Sequence, residues 1–276
     1  MSGPRTTAPR TTDRPAPRLV ASDLDGTIVR HDGGGVSART VEVLTRIEQA
    51  GVPFVMVTGR PPRWMAEVSK QTGHRGLAIC ANGALLYDLH TEQVVRSHLL
   101  DEDVVAEVVE GLRAEIPGIA FAVERPDLVF GHEDAYVPGY PWPERMQGTV
   151  EQIAAGGVVK LLARHQSLGP DELLAAARRA VGDRVTLTHS SVEGLLEVSA
   201  AGITKASGLA AFAQERGIDS EHVIAFGDMP NDLPMLAWAG HSVAVGNAHP
   251  EVRELADEVT ATVEEDGVAQ VLERWF

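Results

Sequence analysis

The chain has 276 residues, of which 44% are hydrophobic and 23% are charged, as is typical of a folded globular protein and not of a disordered or membrane protein. Its 24 basic and 39 acidic side chains give a formal net charge of −15, which disfavours nucleic acid and anionic membranes as partners. The single cysteine, Cys80, excludes an intrachain disulfide and a cysteine-based zinc cluster, and we predict a cytoplasmic protein.

Residues 1–17 are predicted to be a disordered tail, because they are rich in proline, threonine and arginine and lack an apolar stretch. A secretory signal needs an apolar segment of about 7 to 15 residues, so the tail does not fit one. A transit peptide would be amphipathic, and the tail shows no such period. Elsewhere the sequence has no run of the roughly 18 apolar residues that span a bilayer.

Strand and helix patterns alternate after the tail. Short apolar runs at Leu19 to Ser22, Pro53 to Val57 and Leu77 to Cys80 predict strands, and Ser37 is placed to cap a helix that ends near Gly51. This alternation predicts an α/β fold with a doubly wound parallel sheet, in which ligands bind at the carboxyl ends of the strands.

The middle of the chain predicts a second α/β unit, an inserted cap over residues 85–193. Its segment 136–145 contains three aromatic residues and three prolines, so it is predicted to be a loop. The aromatic rings either hold this loop against its own domain, which we favour because it needs no ligand, or they line a substrate pocket. The doubly wound pattern resumes at Leu195, so the core is predicted to comprise residues 18–84 and 194–276.

Two pairs of carboxylates follow predicted strands. Asp23 and Asp25 come directly after the first strand, and Asp228 and Asp232 follow a strand at Val223 to Phe226. Each pair by itself also fits an acidic turn or a helix N-cap. Several carboxylates at one edge of a sheet repel one another unless a cation lies between them, and an all-oxygen ligand set favours Mg²⁺ over zinc.

A phosphorylated ligand beside such a cation needs hydrogen-bond donors on its other side. Thr58 and Gly59 after the second strand, Asn82 after the third and Lys205 at a helix start are candidates. Each also has a simpler interpretation: Thr58 as a turn hydroxyl, Asn82 as part of a hairpin turn and Lys205 as a surface cation.

Taken in order, these motifs resemble the haloacid dehalogenase superfamily, and specifically its Cof-like phosphatases with a class IIB cap. The resemblance covers the whole chain after the tail, and five motifs in order are far more specific than any one of them. The matching segments are Asp23-Leu-Asp-Gly-Thr27, Thr58-Gly-Arg60, Asn82-Gly-Ala84, Lys205 and Gly227-Asp-Met-Pro-Asn-Asp232.

The resemblance implies a role for each matching residue. Asp23 would be the nucleophile that forms an aspartyl-phosphate, and Asp25 would be the general acid and then the general base. Thr58 and Lys205 would bind the transferring phosphoryl group. The remaining implied positions are Mg²⁺ ligation by Asp23, the main-chain carbonyl of Asp25, Asp228 and, in a supporting role, Asp232, with Gly59, Asn82 and Asn231 as substrate contacts.

The implied function is a Mg²⁺-dependent phosphatase of small phosphorylated metabolites such as sugar phosphates. Because an alkoxide leaving group needs a proton and a halide does not, Asp25 favours ester hydrolysis over dehalogenation. A phosphomutase or phosphotransferase, and a non-catalytic sensor of a phosphorylated ligand, remain alternatives, and the oligomeric state is left open. The cap is expected to move as a lid about crossings near Ala84 and Glu193. Its candidate ligand contacts are Arg125, His132, Arg145, Lys160, Arg164 and His165.

Overall fold

The computed structural model describes residues 15–31, 33–138, 145–190 and 194–276. Most of the predicted tail, residues 139–144 of the aromatic-rich loop and the crossing near Glu193 therefore lie outside the described residues.

Strands and helices alternate through the described part of the chain, and we number each class in chain order. The strands are β1 (Leu19–Ser22), β2 (Val29–Arg30), β3 (Gly35–Val36), β4 (Phe54–Val57), β5 (Leu77–Cys80), β6 (Leu85–Asp88), β7 (Gln93–Ser97), β8 (Ala120–Glu124), β9 (Phe130–His132), β10 (Arg145–Gln147), β11 (Lys160–Arg164), β12 (Val185–Thr188), β13 (Leu195–Ala200), β14 (Val223–Gly227), β15 (His241–Ala244) and β16 (Glu258–Val259). The helices are α1 (Ala38–Gln49), α2 (Met65–Thr72), α3 (Glu102–Glu115), α4 (Val150–Ala154), α5 (Pro170–Val181), α6 (Lys205–Gln214), α7 (Leu233–Trp238), α8 (Pro250–Leu255) and α9 (Gly267–Leu272).

The larger sheet confirms the predicted α/β class. In the described residues it has eight strands in the order β16-β15-β14-β1-β4-β5-β6-β7, and the six from β16 to β5 are parallel. Strands β1, β4 and β14 are buried along their whole length, as expected for central strands of a parallel sheet covered on both faces. Their carboxyl ends therefore open at a common edge of the sheet.

Local signals account for the first helix. The hydroxyl of Ser37 accepts a hydrogen bond from the backbone N–H of Thr40, which satisfies one of the N–H groups that a helix start leaves without a partner. Gly51 follows the helix with a φ of +71°, a left-handed conformation that glycine adopts without steric cost. The predicted cap and the predicted end of α1 are both confirmed.

The cap is built on a second sheet, ordered β10-β9-β8-β11-β13-β12 within the described residues. One face of this sheet packs on α3, α4 and α5 around a separate apolar core that includes Phe121, Leu161 and Leu196. Its strands alternate between that core and the opposite face, which is the pattern of a sheet with one side packed on helices.

Strand pairing corrects both predicted boundaries between core and cap. Strands β6 and β7, predicted to begin the cap, extend the core sheet in antiparallel orientation. Strand β13, predicted to resume the core, pairs with β11 and β12 in the cap sheet. Apolar patterns identify a strand but not its partner, and the tight turn at Ala81–Gly83 returns the chain onto β5 instead of releasing it into the cap. The connections between the two sheets are therefore residues 98–101 and 201–204.

Of the helices in the described ranges, none is long and apolar enough to cross a membrane.

Candidate active site

Four loops bring the predicted site residues to one edge of the core sheet. Asp23 follows β1, Thr58 follows β4, and Asp228 follows β14. Because these strands are parallel neighbours, their carboxyl ends place the three side chains together. Asn82 lies in the turn after β5, which is the next strand in the sheet.

Three buried carboxylates form the centre of the site. Asp23, Asp228 and Asp232 each offer an oxygen that lies within 4.8 Å of the others. The ammonium of Lys205, at the start of α6, donates to Asp23 Oδ1 and to Asp232 Oδ1, both at 2.6 Å. Lys205 is almost completely buried, so its interpretation as a surface cation is wrong.

Local backbone geometry explains how the second acidic motif is held. Asp232 Oδ2 accepts hydrogen bonds from the backbone N–H groups of Asp228 and Met229, both at 3.0 Å. The side chain of Asp232 thus ties its own turn together with one oxygen and contacts Lys205 with the other. The hydroxyl of Thr27, from the first motif, donates to Asp228 Oδ1 at 3.2 Å. The two acidic motifs are therefore directly connected.

Gly26 permits this close approach. Its φ is +78°, and a Cβ at this position would lie 2.3 Å from Asp228 Oδ2. Any other residue would both strain the backbone and displace the carboxylate.

The electrostatics of the cluster favour a cation. Burial raises the pKa of Asp23 to about 7; the charge of Lys205 opposes this, whereas Asp232 and Asp25 add to it. Burial also raises the pKa of Asp228 well above its usual value, and the neighbouring charges of Asp23 and Asp232 act in the same direction. One ammonium thus faces three carboxylates, which leaves an excess of negative charge.

Lys205 remains charged in this setting. Burial alone would lower the pKa of Lys205, but the carboxylates of Asp23 and Asp232 raise it above its usual value. The side chain of Lys205 therefore stays positively charged within the site.

The donor set fits a hydrated Mg²⁺. The clustered ligand atoms are all carboxylate oxygens, which hard divalent cations prefer. Next to them, Asn231 Oδ1 is buried and has no hydrogen-bond partner among the described residues, so it can accept from a water of the kind that Mg²⁺ retains. Asp23, Asp228 and Asp232 are thus the side chains that would hold the ion.

Asp25 is set apart from this cluster. About half of its side chain is exposed. Its carboxylate accepts two hydrogen bonds from the guanidinium of Arg60, from Nε to Oδ2 at 2.7 Å and from Nη2 to Oδ1. Both residues line the cavity above the site. Arg60 was visible in the sequence as part of the Thr58 motif, but no pattern showed that it would pair with Asp25.

Thr58 and Gly59 form a turn after β4 of the core, and this turn faces the cap. The Thr58 hydroxyl accepts from the backbone N–H of Arg60 at 3.0 Å, so the turn-hydroxyl interpretation is confirmed. Its side chain also lines the cavity, as a phosphate contact requires. The carbonyl of Gly59 accepts from the ammonium of Lys160, a cap residue, at 2.6 Å.

A buried polar network joins cap and core beside the site. Lys160 donates to Glu197 Oε1 at 2.6 Å, and Glu197 Oε2 accepts from Asn82 Nδ2 and from Ser190 Oγ, both at 3.0 Å. Asn82 Oδ1 in turn accepts from Asn231 Nδ2 at 3.1 Å. Asn82 therefore shapes a hairpin turn, as its simpler interpretation held, and also connects the cap to the acidic motif.

Glu197 is ionised within this network. Burial alone would raise the pKa of Glu197, but the charge of Lys160 and the hydrogen bonds from Lys160, Asn82 and Ser190 hold it below its usual value. Glu197 was not among the site residues predicted from the sequence. The signal that could have identified it is a charged residue inside an apolar strand, which it shares with Lys160.

A cavity of about 620 Å³ lies between the cap and the edge of the core sheet that carries the acidic cluster. Of the six cap candidates, Lys160 and Arg164 line it. Arg125 is instead paired with Asp127 and with main-chain carbonyls of the cap. The other residues that line the cavity include His31, Trp64, Glu124, Phe130, Tyr136, Leu162, Leu195 and Asn247.

Tyr136 bears on the two interpretations of the aromatic-rich loop. Its ring packs edge-on against Phe130, with centroids 6.1 Å apart, which holds the loop to the cap. The same ring faces the cavity. Tyr136 therefore holds the described part of the loop against the cap and also lines the cavity, and a role in substrate binding stays a prediction.

Comparison with known proteins gives the family. The sequence profile described as haloacid dehalogenase-like hydrolase matches residues 20–272, nearly the whole described chain. This chain belongs to the haloacid dehalogenase-like hydrolases. The matched range includes every predicted site residue and, from Val20 onward, the strands of the core sheet and of the cap sheet.

Individual relatives are similar over almost their whole length. The chain is 29% identical to the 5-amino-6-(5-phospho-D-ribitylamino)uracil phosphatase YitU of Bacillus subtilis, covering 94% of this chain and 98% of the relative. It is 26% identical to the pyridoxal phosphate phosphatase YbhA of Escherichia coli, covering 92% and 97%. The solved structure of the HAD subclass IIB sugar phosphatase BT4131 superposes with a TM-score of 0.78 at 20% identity, covering 93% and 98%. That likeness confirms a core with an inserted cap.

Proposed function

We propose that this chain is a Mg²⁺-dependent phosphatase that hydrolyses small phosphorylated metabolites through an aspartyl-phosphate at Asp23. The observation that carries the proposal is the buried cluster of Asp23, Asp228 and Asp232 around Lys205, with Asp25 beside it at the cavity. Nucleophile, charge-stabilising groups and a proton donor are then all present at one end of the sheet. The hydrolase relatives named as phosphatases of small phosphorylated compounds support this substrate class.

In the first step, a carboxylate oxygen of Asp23 attacks phosphorus and the bond from phosphorus to the ester oxygen breaks. Asp25 gives its proton to that leaving oxygen. In the second step, water attacks the phosphorus of the aspartyl-phosphate, Asp25 takes a proton from the water, and the bond to Asp23 breaks. Inorganic phosphate and an alcohol are released, and both carboxyl groups return to their starting states.

Other residues hold the phosphoryl group while this happens. Lys205, which contacts Asp23, offsets negative charge between the nucleophile and the phosphoryl oxygens, and Thr58 donates a hydrogen bond. When bound to Asp23, Asp228, Asp232 and the main-chain carbonyl of Asp25, Mg²⁺ supplies a further positive charge to the phosphoryl oxygens. Gly59, Asn82 and Asn231 position the substrate. The proposed location of the protein is the reducing cytoplasm.

The test is the release of inorganic phosphate from sugar, nucleotide, cofactor and aryl phosphates, with and without Mg²⁺. We expect release that requires both Mg²⁺ and Asp23, so that Asp23→Asn falls to background. Asp183→Asn, an exposed aspartate in the cap, is the matched control and is expected to keep full activity. Isomerised product without phosphate release would instead identify a mutase. Thermal stabilisation by a phosphorylated ligand without turnover would identify a sensor.

A further inference from the structure

The face of the cap sheet that covers the catalytic edge is set by strand alternation. In β11, Leu161 and Ala163 pack into the cap core, whereas Lys160, Leu162 and Arg164 line the cavity. In β13 the same alternation turns Leu195 and Glu197 to the cavity and Leu196 and Val198 to the core. The residues that meet the leaving group are therefore every second residue of these strands.

The polar half of this face is already engaged with the protein. Lys160 is bonded to Glu197 and to the Gly59 carbonyl, and Glu124 is held by both terminal nitrogens of Arg63. These charges therefore bring the cap against the core and have partners before any substrate arrives.

The other half of the face is apolar. Phe130, Tyr136 and Leu162 form a small buried cluster, and Leu195 packs against it. The ring of Trp64 reaches the same cavity from the core side. The guanidinium of Arg63 lies 5.6 Å from the Trp64 ring centroid and 5.6 Å from that of Phe130. One cation therefore contacts an aromatic ring of the core and an aromatic ring of the cap.

This wall discriminates between kinds of leaving group. The side chains of Phe130, Leu162 and Leu195 offer no hydrogen-bond partner, so each hydroxyl of a polyol or sugar that packs against them would lose its hydration without replacement. A planar ring has apolar faces that suit these side chains and polar groups confined to its edge. The guanidinium of Arg164 lies 5.8 Å from the Tyr136 ring centroid and lines the same cavity. It is therefore placed to donate a hydrogen bond to a polar group on the edge of such a ring.

We propose that the preferred substrates are phosphate monoesters whose leaving alcohol carries an aromatic or heteroaromatic ring, and that Phe130, Leu162 and Leu195 select for it. This inference rests on the proposed phosphatase activity and narrows its substrate class. Within the predicted class of small phosphorylated metabolites, it favours ring-bearing esters over sugar phosphates.

The test compares substrates that differ in the leaving group but not in the type of ester. Benzyl phosphate and pyridoxine 5′-phosphate are set against glucose 6-phosphate and sorbitol 6-phosphate, which are all primary alkyl esters of similar intrinsic reactivity. We expect kcat/KM to be at least about tenfold higher for the two ring-bearing substrates, the usual effect of one or two buried polar groups left without partners.

The variant Leu195→Gln introduces an amide into the apolar wall. It is expected to reduce the ratio of kcat/KM between ring-bearing and polyol substrates about tenfold, and Leu195→Met, which keeps the wall apolar, is expected to retain the ratio. Leu255→Gln makes the same chemical change at an exposed position of α8, away from the cavity. It is expected to leave kcat/KM unchanged for both ring-bearing and polyol substrates. Thermal melting of each variant verifies that it is folded.

The outcomes separate this inference from the function on which it rests. Equal or better hydrolysis of the polyol esters, or an unchanged ratio in Leu195→Gln, would overturn the inference and leave the phosphatase standing. No hydrolysis of any of the esters, with 4-nitrophenyl phosphate included, would overturn the phosphatase and the inference together.

Discussion

Among the acids of the site, Asp25 is distinguished by its exposure and by its partner. The clustered carboxylates are buried around Lys205, whereas Asp25 faces the cavity and is oriented by Arg60. The proposed role of Asp25, which is to give a proton to the leaving group and then to take one from water, needs this access. The bidentate contact with Arg60 fixes the direction in which the carboxyl group points.

We predict that Asp25→Asn slows the hydrolysis of alkyl phosphates about 10²- to 10⁴-fold, because the amide keeps a contact with Arg60 but cannot transfer a proton. With 4-nitrophenyl phosphate the leaving group needs no proton, so the first step should survive. Stopped-flow absorbance should then show a burst of nitrophenolate close to the enzyme concentration, followed by slow turnover.

The control for this prediction is Asp103→Asn, an exposed residue in the first turn of α3, which should leave both rates unchanged. A similar loss for both substrates without a burst would contradict the assignment of Asp25 as the general acid.

At the scale of secondary structure elements, a buried ion pair joins the cap strands β11 and β13, and each of its members also contacts a core loop: Lys160 the Gly59 carbonyl, and Glu197 the side chain of Asn82. Lys160 and Glu197 are each less than 5% exposed. A buried pair contributes little net stability, but removing one partner leaves a buried charge without compensation.

We predict that Glu197→Gln lowers the free energy of unfolding by about 3 kcal/mol or more, measured by urea denaturation, because Lys160 then loses its counter-charge. The double variant with Lys160→Met should be less destabilised than the sum of the two single changes. Glu215→Gln is the matched control: its pair with Arg96 is exposed, and it should cost less than about 1 kcal/mol. Strict additivity of the two single changes would show that the pair does not couple the elements.

A second electrostatic contact joins β15, β16 and the carboxyl-terminal residues. Glu258 contacts His241 at 3.3 Å and Arg274 at 2.7 Å, and hydrogen bonds from His241 and Arg274 lower the pKa of Glu258 to about 2. Because the pKa is lowered in the folded state, the stabilisation is present above the unfolded pKa near 4.5 and is lost as the pH falls towards 2.

We therefore predict that Glu258→Gln costs about 1 kcal/mol of unfolding free energy at pH 7, a value reduced by solvent screening, and that the difference from the parent protein shrinks as the pH falls from about 4.5. Thermal or urea unfolding of the variant and the parent protein at several pH values measures this difference in unfolding free energy. A difference that stays constant down to pH 3 would mean that the effect comes from packing rather than from charge.

At the scale of the whole molecule, the two connections between core and cap determine where a lid can pivot. The strand pairing places them at residues 98–101 and 201–204, not near Ala84, which lies in a turn within the core sheet. Gly202, with a φ of +75°, gives the second connection a residue that changes conformation easily.

We predict that amide hydrogen exchange at residues 98–101 and 201–204 slows when Mg²⁺ and a phosphate mimic such as vanadate bind, because closure orders both connections. Mass spectrometry of exchanged peptides resolves the two segments. Peptides of the exposed β16 segment are the internal control and should not change. Unchanged exchange at both connections on binding would argue against a moving cap.

The sequence was sufficient for the features that depend on local pattern. The apolar runs of β1, β4 and β14, the cap and end of α1, and the placement of Asp23, Thr58 and Asp228 at strand ends all follow from periodicity, capping and the order of elements along the chain. Parallel pairing then makes those strand ends meet.

The tertiary structure decided what depends on residues far apart in the chain. Glu197 meets Lys160 across 37 residues and Asn82 across 115, and strands β6, β7 and β13 join sheets that their own patterns do not specify. An apolar run reports only that a segment is buried, because its partner depends on the path of the whole chain. The sheet pairing of β6, β7 and β13 and the ion pair between the cap strands β11 and β13 therefore appear only in the folded molecule. The order of the predicted site motifs, in contrast, is readable from the sequence itself.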